Sequence, residues 1–178
     1  MKRLFILLAA FSAVITACNN TKSNSTSATD STSTDTTKTN MLERNRQTAL
    51  RNVNAVMKRD TAAFAADFAP DAVDYADGGG TPVKGIDSIK ASLEMFLAAF
   101  PDLKGENMTT LAEGNHVAVF GDYSGTFKGN LMGMKPTGKS FHIKDVDLYT
   151  FNDEGKITEH RSVQSFSTIM MQVGGSMK

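Results

Sequence analysis

Apolar and polar positions divide the chain into stretches of different texture. Leu4 to Val14 is an apolar run broken only by Ser12, whereas Asn19 to Asn40 (NNTKSNSTSATDSTSTDTTKTN) holds no large apolar side chain. Beyond residue 40 apolar residues return at helical spacing. Leu42, Ala49, Leu50, Val53, Val56 and Met57 form a stripe, with Asn40 placed to cap the helix and Glu43 to close a capping box. Asp60 predicts a second cap, Phe64 and Phe68 a shared helical face, and Pro70 the end of that element. Ala72 to Ala76 reads as a short strand and Gly78-Gly79-Gly80 as a turn. Asp87 predicts the cap of a third helix, in which Ile86, Ile89, Leu93, Phe96, Leu97 and Phe100 recur at steps of three and four until Pro101 stops it.

After Pro101 the period changes to two. Val117, Val119, Gly121 and Tyr123 alternate with His116, Ala118, Phe120 and Asp122. Lys135-Pro136-Thr137-Gly138 has turn chemistry. Phe141 to Phe151 is rich in β-branched and aromatic residues, Asn152 to Gly155 forms a hairpin loop, and Ile157 to Phe166 is the returning strand. Gly174-Gly175-Ser176 should fray. Helices first and hairpin-linked strands afterwards predict an α+β domain, with helices packed on one face of an antiparallel sheet.

Composition narrows the picture. The 178 residues carry 19 basic and 19 acidic side chains, a balance that excludes a strongly basic nucleic-acid binder. One Cys excludes an intramolecular disulfide and a Cys-based zinc site. The first apolar run is too short to span a bilayer, which needs roughly 20 residues, and with Lys2 and Arg3 before it fits a secretory signal. Ile15-Thr16-Ala17-Cys18 resembles the end of a bacterial lipoprotein signal, with Ile15 where Leu is usual. That resemblance implies a signal over residues 1–18, a lipidated Cys18 and a cell-envelope protein lipid-anchored to a membrane, since several acyl chains hold firmly where one holds marginally. Without Lys2 and Arg3, 17 basic residues face 19 acidic ones, which leaves no polybasic patch for anionic lipid. Residues 19–40 cannot bury enough surface to offset their ordering entropy and are expected to form a disordered linker. Residues 41–178 then make one domain of ordinary size.

Several motifs fail on context. Gly133-Met134-Lys135-Pro136-Thr137-Gly138-Lys139-Ser140 matches G-x-x-x-x-G-K-[ST], but a P-loop opens a helix and the following residues read as strand. Asp145-Val146-Asp147 has the first spacing of a calcium loop without the third ligand or the Gly. His116, His142 and His160 are scattered and lack close carboxylate spacing, so no metal is expected.

The strand pair 141–151 and 157–166 carries more. Asp145 and Asp147 share parity with Phe141, Ile143, Tyr149 and Phe151, so strict alternation puts carboxylates on an apolar face. Either a bulge re-aims part of the strand, or an Asp enters an apolar cavity. A solvated Asp pair on an exposed face is the plain alternative. His160, Ser162 and Gln164 share one parity on the partner strand, and a hairpin at 152–155 brings Asp147 near 160–162. Asp147 and His160 are therefore the candidate acid–base pair, with Tyr149, Phe141, Ile143, Ser162 and Gln164 lining the pocket. Desolvation raises the pKa of a carboxyl in such a place, which suits proton transfer next to a carbonyl, and a neighbouring His or Tyr can hold the enolate oxygen.

The order and spacing of Gly85-Ile86, Phe100-Pro101-Asp102-Leu103, Gly125-Thr126-Phe127, Pro136-Thr137-Gly138-Lys139, Asp147-Leu148-Tyr149-Thr150-Phe151 and Gly155-Lys156-Ile157-Thr158-Glu159-His160 resemble the SnoaL-like polyketide cyclase and ester cyclase group of the NTF2-like superfamily. The resemblance covers nearly all of 41–172. It implies a cone-like fold, with N-terminal helices closing one side of a curved, mostly antiparallel sheet around a pocket, and a homodimer formed through the open sheet face. It also implies that an Asp and a His act on a fused-ring precursor without cofactor or metal, Asp147 standing where the family commonly places a pocket carboxylate. One departure matters: members often read Glu-His-Trp-Asp where this chain reads Glu159-His160-Arg161-Ser162. A serine cannot transfer protons near neutral pH without an activating base. Three functions follow: a module binding a small apolar molecule without turnover, a cofactor-free cyclase or isomerase using Asp147 and His160, and a scaffold with a collapsed pocket.

Overall fold

The computed structural model describes residues 31–77, 79–164 and 166–174. The expected signal with Cys18, residues 19–30 of the expected linker and the tail from 175 lie outside them. The elements are α1 (Ser31–Met57), α2 (Thr61–Ala66), β1 (Phe68–Asp74), β2 (Val83–Lys84), α3 (Ile86–Ala99), β3 (Lys104–Glu113), β4 (His116–Thr126), β5 (Ser140–Phe151), β6 (Ile157–Ser162) and α4 (Phe166–Val173).

The helix expected to start at Asn40 starts at Ser31, so the last part of the expected linker is helical and Asn40 lies inside α1. Residues 37–40 are exposed and touch no core. They extend a helix already nucleated by its packed half, and each added residue then gains one hydrogen bond without a new nucleus. Asp60 does cap α2, its side chain accepting from the Ala63 N–H at 2.9 Å. Pro70 does not end that helix. It sits in β1, where the β1–β6 pairing shifts register between Phe68 and Val73, the kind of irregularity that tolerates a residue without an N–H. Phe64 and Phe68 still meet, centroids 4.8 Å apart, but from a helix and a strand. Asp87 stands in the first turn of α3, and Gly85 takes the cap position.

The six strands form one open sheet in the order β2-β1-β6-β5-β4-β3. The β1–β6 pair is parallel and the others are antiparallel, so the sheet is mixed and mostly antiparallel, as the family resemblance implies. The helices pack on its inner face: α1 against β3 and β4, α3 against β1, and α4 against β5. The fold is thus α+β, with helices on a curved, unclosed mixed sheet. The returning strand stops at Ser162 rather than Phe166, because Phe166, Ile169, Met170 and Val173 line one side of α4. The tight turn falls at Leu131–Met134, which exchange backbone hydrogen bonds across Met132 and Gly133, both at positive φ, rather than at 135–138. Ser140 opens β5, so the P-loop-like segment runs into a strand.

The core centres on Phe100, fully buried, with ring centroids 4.9 Å from Phe96, 5.5 Å from Phe127 and 5.2 Å from Phe141. The chain after β4 is pinned to the end of α3 by Gly129, whose N–H donates to the Ala99 carbonyl at 3.0 Å. A Cβ at 129 would lie 2.2 Å from the Ala98 carbonyl oxygen, a rigid backbone atom. Gly129→Ala is expected to lose about 1–3 kcal/mol in urea unfolding, the usual penalty for forced overpacking. An unchanged midpoint would mean that this crossing is loose.

Candidate functional site

The geometry begins with the alternation of β5. Its pairing with β4 runs without a break from Ser140 to Thr150, so no bulge re-aims the strand. Phe141, Ile143, Asp145, Asp147 and Tyr149 all line a cavity of about 300 Å³ under the helices. Ser162 and Gln164 line it too, and Val53, Leu93, Phe96 and Ile169 supply the facing apolar wall.

Sheet register assembles the polar end. Tyr149 pairs with His160 across β5–β6, and Asp74 pairs with His160 across the parallel β1–β6 contact. The imidazole therefore lies between two carboxylates, with Nε2 3.2 Å from Asp147 Oδ1 and Nδ1 3.1 Å from Asp74 Oδ1. Tyr123 of β4 donates its hydroxyl to Asp147 Oδ2. Gly121 makes that reach possible: a Cβ there would come 3.0 Å from Tyr123 Cε2 and 2.5 Å from Met108 Sδ. The result is a hydrogen-bonded row, Tyr123–Asp147–His160–Asp74. Asp145 stands beside it, its Oδ1 accepting from the Val146 and Gln164 N–H groups at 2.6 and 2.7 Å and its Oδ2 lying 2.5 Å from Ser162 Oγ.

The charges follow from these contacts. Burial pulls the His160 pKa down, but hydrogen bonds and charge from Asp147 and Asp74 outweigh it and raise the value to about 10. His160 is then an imidazolium at neutral pH, both N–H groups donating. Burial acts to raise Asp74, yet His160 and the Ala76 N–H hold it below the ordinary value. Burial is the main cause that raises Asp145, opposed by Ser162 and the Gln164 N–H and reinforced by the charge of Asp147. Burial, with Asp147 next, also raises the phenols of Tyr123 and Tyr149 well above their usual range.

Asp147 and His160, separated by most of a hairpin in the sequence, are in direct contact. Sequence reasoning missed Tyr123 and Asp74 and left Asp145 without a role. Tyr123 shares the inward parity of Val117 and Val119 and could have been found that way. Nothing local marks Asp74, which reaches His160 only through the parallel pairing. His116 and His142 point outward and are exposed, so the three His do not gather. The two carboxylates on His160 occupy opposite ring nitrogens, and among the described residues no group of three or more His, Cys, Asp or Glu could hold a metal ion. The two departures separate by face. Arg161 points outward with its guanidinium 4.4 Å above the Tyr75 ring, while Ser162 points inward to Asp145.

The arrangement can grip a ligand between apolar helices and a polar wall. It can also move a proton along the row, although each Asp147 oxygen already accepts one hydrogen bond and each His160 nitrogen already faces a carboxylate.

Solved structures share this architecture. The putative hydroxylase AclR from Streptomyces galilaeus is 28% identical, covering 75% of this chain and 97% of its own, with a TM-score of 0.63. The putative polyketide cyclase IdmH from Streptomyces antibioticus is 25% identical, covering 73% and 98%, with a TM-score of 0.61. A putative SnoaL-like polyketide cyclase from Jannaschia sp. CCS1 is 23% identical, covers 77% and 96%, and has a TM-score of 0.67, a likeness of fold. No curated protein is significantly similar to the chain. The family model for SnoaL-like polyketide cyclases matches residues 46–173, and with this cavity and sheet the chain belongs to that family, within the NTF2-like superfamily.

Proposed function

We propose that this protein is a lipid-anchored envelope protein whose SnoaL-like cavity binds a small apolar ligand. One observation carries the reading: an apolar cavity of about 300 Å³ ends in the row Tyr123–Asp147–His160–Asp74, whose members hydrogen-bond one another. Each Asp147 oxygen already accepts a hydrogen bond, one from the Tyr123 phenol and one from the His160 ring, which favours binding over proton abstraction. The loss of the family's second acidic position to Ser162 supports the same choice. The Cys18 signal supports the anchor, and the exposed Leu111, Phe120 and Leu148 on the outer sheet face support a homodimer. Native mass spectrometry of the full chain purified from membranes should report a retained small molecule, the acyl mass on Cys18 and two copies.

A second reading is a cofactor-free cyclase or isomerase. Direct contact of Asp147 with His160 favours it, as does similarity to putative cyclases. Asp147→Asn separates the two. In an enzyme the variant abolishes deuterium exchange at the α-carbon of a bound ketone while the ketone still binds. In a binder the wild type shows no such exchange, and the variant changes affinity alone. A cavity that retains no apolar molecule in either protein sinks both readings.

A further inference from the structure

The charge of the cavity points to the kind of ligand. Its lining residues include four carboxyl groups, Asp74, Asp77, Asp145 and Asp147, and one cationic side chain, His160. Neither Lys nor Arg is among them. These acids form the polar end of a cavity whose other walls are Val53, Leu93, Phe96 and Ile169, so their charge stands beside apolar surface, with the Asp74 and Asp147 side chains only 21% and 16% exposed. Asp74 and Asp147 share the single imidazolium. Asp77 accepts from the backbone N–H groups of Gly79 and Phe166. Asp145 accepts from two backbone N–H groups and the Ser162 hydroxyl, and among the described residues no cationic side chain is bonded to it. Even with one proton on Asp145, the two carboxylates of Asp74 and Asp147 outnumber the one imidazolium between them.

We propose that the cavity selects an apolar molecule bearing a protonated amine, with the ammonium group seated at Asp145 and the body against the helices. The physical reason is that uncompensated negative charge beside an apolar wall is unfavourable and a cationic ligand relieves it, whereas a carboxylate or phosphate ligand adds to it. Aromatic rings around the same space, Tyr149, Phe96 and Phe141 among them, offer faces that attract cations. Burial acts on Asp145 to disfavour its charged form, as expected for a carboxyl with no cation beside it, and an ammonium group would reverse that balance. This inference rests on the cavity being a ligand site and adds the sign of the ligand's charge.

Three probes of one shape test it: 1-naphthylmethylammonium, neutral 1-acetylnaphthalene and 1-naphthoate. Each is titrated into the full chain in detergent at pH 7 by calorimetry, with Asp145→Asn and Asp77→Asn as variants. The amine is expected to bind roughly 100-fold tighter than the acid, with the neutral ketone between them. Asp145→Asn should narrow that ratio about tenfold and leave the affinity for the ketone nearly unchanged, since Asn keeps the acceptor oxygen for Val146 and Gln164. Should Asp145→Asn fail to fold, Asp77→Asn must still narrow the ratio. Equal affinities for the three probes, or a preference for the acid, overturn the charge inference while leaving the ligand-site reading standing. Binding of none of the three overturns both.

Discussion

Between about pH 6.5 and pH 10 the protein should lose on the order of a few kcal/mol of stability through one side chain, His160. The folded-state pKa of His160 is raised to about 10, above the unfolded value of about 6.5. A group that binds its proton more tightly when folded stabilises the fold fully below the unfolded pKa, and that contribution disappears as pH rises through the folded one. Asp74 works in the opposite direction. Its folded value is depressed, so its contribution is present above the ordinary carboxylate range and is lost on acidification. The stability maximum should therefore lie between the two losses. Nitrogen NMR of the ring should show both His160 nitrogens protonated at pH 8.5. In the Asp74→Asn, Asp147→Asn double variant the ring should become neutral at far lower pH, because burial then acts without opposing charges. A neutral His160 in the wild type at pH 8 would remove the imidazolium from the site and with it this pH dependence.

The second large effect belongs to the core. Phe100→Ala should lose about 3–5 kcal/mol in urea unfolding, because it removes a fully buried ring against which Phe96, Phe127 and Phe141 pack. The same residue ends α3, and its carbonyl, with those of Leu97 and Pro101, lies within reach of the Arg59 guanidinium. Those backbone contacts survive truncation, so the loss should be a packing loss. Phe100→Leu should recover part of it by refilling the volume. A Phe100→Ala loss below about 1 kcal/mol would mean that the ring cluster collapses around the void and that the domain is held elsewhere.

Both effects lie where residues distant in sequence meet, and this bears on what the sequence could reveal. The β4–β6 half was legible, because Val117 to Tyr123 alternates, Phe141 to Phe151 is rich in β-branched and aromatic residues, and Asn152 to Gly155 closes a hairpin whose Asn152 and Gly155 make the expected backbone bonds. β3 was not legible. Apart from the exposed Leu111 its residues are polar or half-exposed as suits an edge strand, and its pairing slips between Glu106 and Thr109, with Asn107 at positive φ, so no clean period survives. β2 is two residues long, below what any periodicity can mark. The spacing of α4 was present in Phe166, Ile169, Met170 and Val173 but merged into the apolar texture of the strand before it.

By itself the sequence determined the family, the α+β order of elements, the placement of Asp147 on the buried parity of β5 and the approach of His160 across the hairpin. The family rests on the resemblance of motifs ordered along most of the chain, and the rest are local properties, set by a helical or twofold period or by a turn a few residues long. Only the tertiary structure decided that Asp74 closes the row, that Tyr123 lies across Gly121 to reach Asp147, and that Asp145 stands without a cationic partner among the described residues. Those facts come from a parallel pairing and from packing between strands far apart along the chain. A charge state is a sum over neighbours in space, and no local pattern records it.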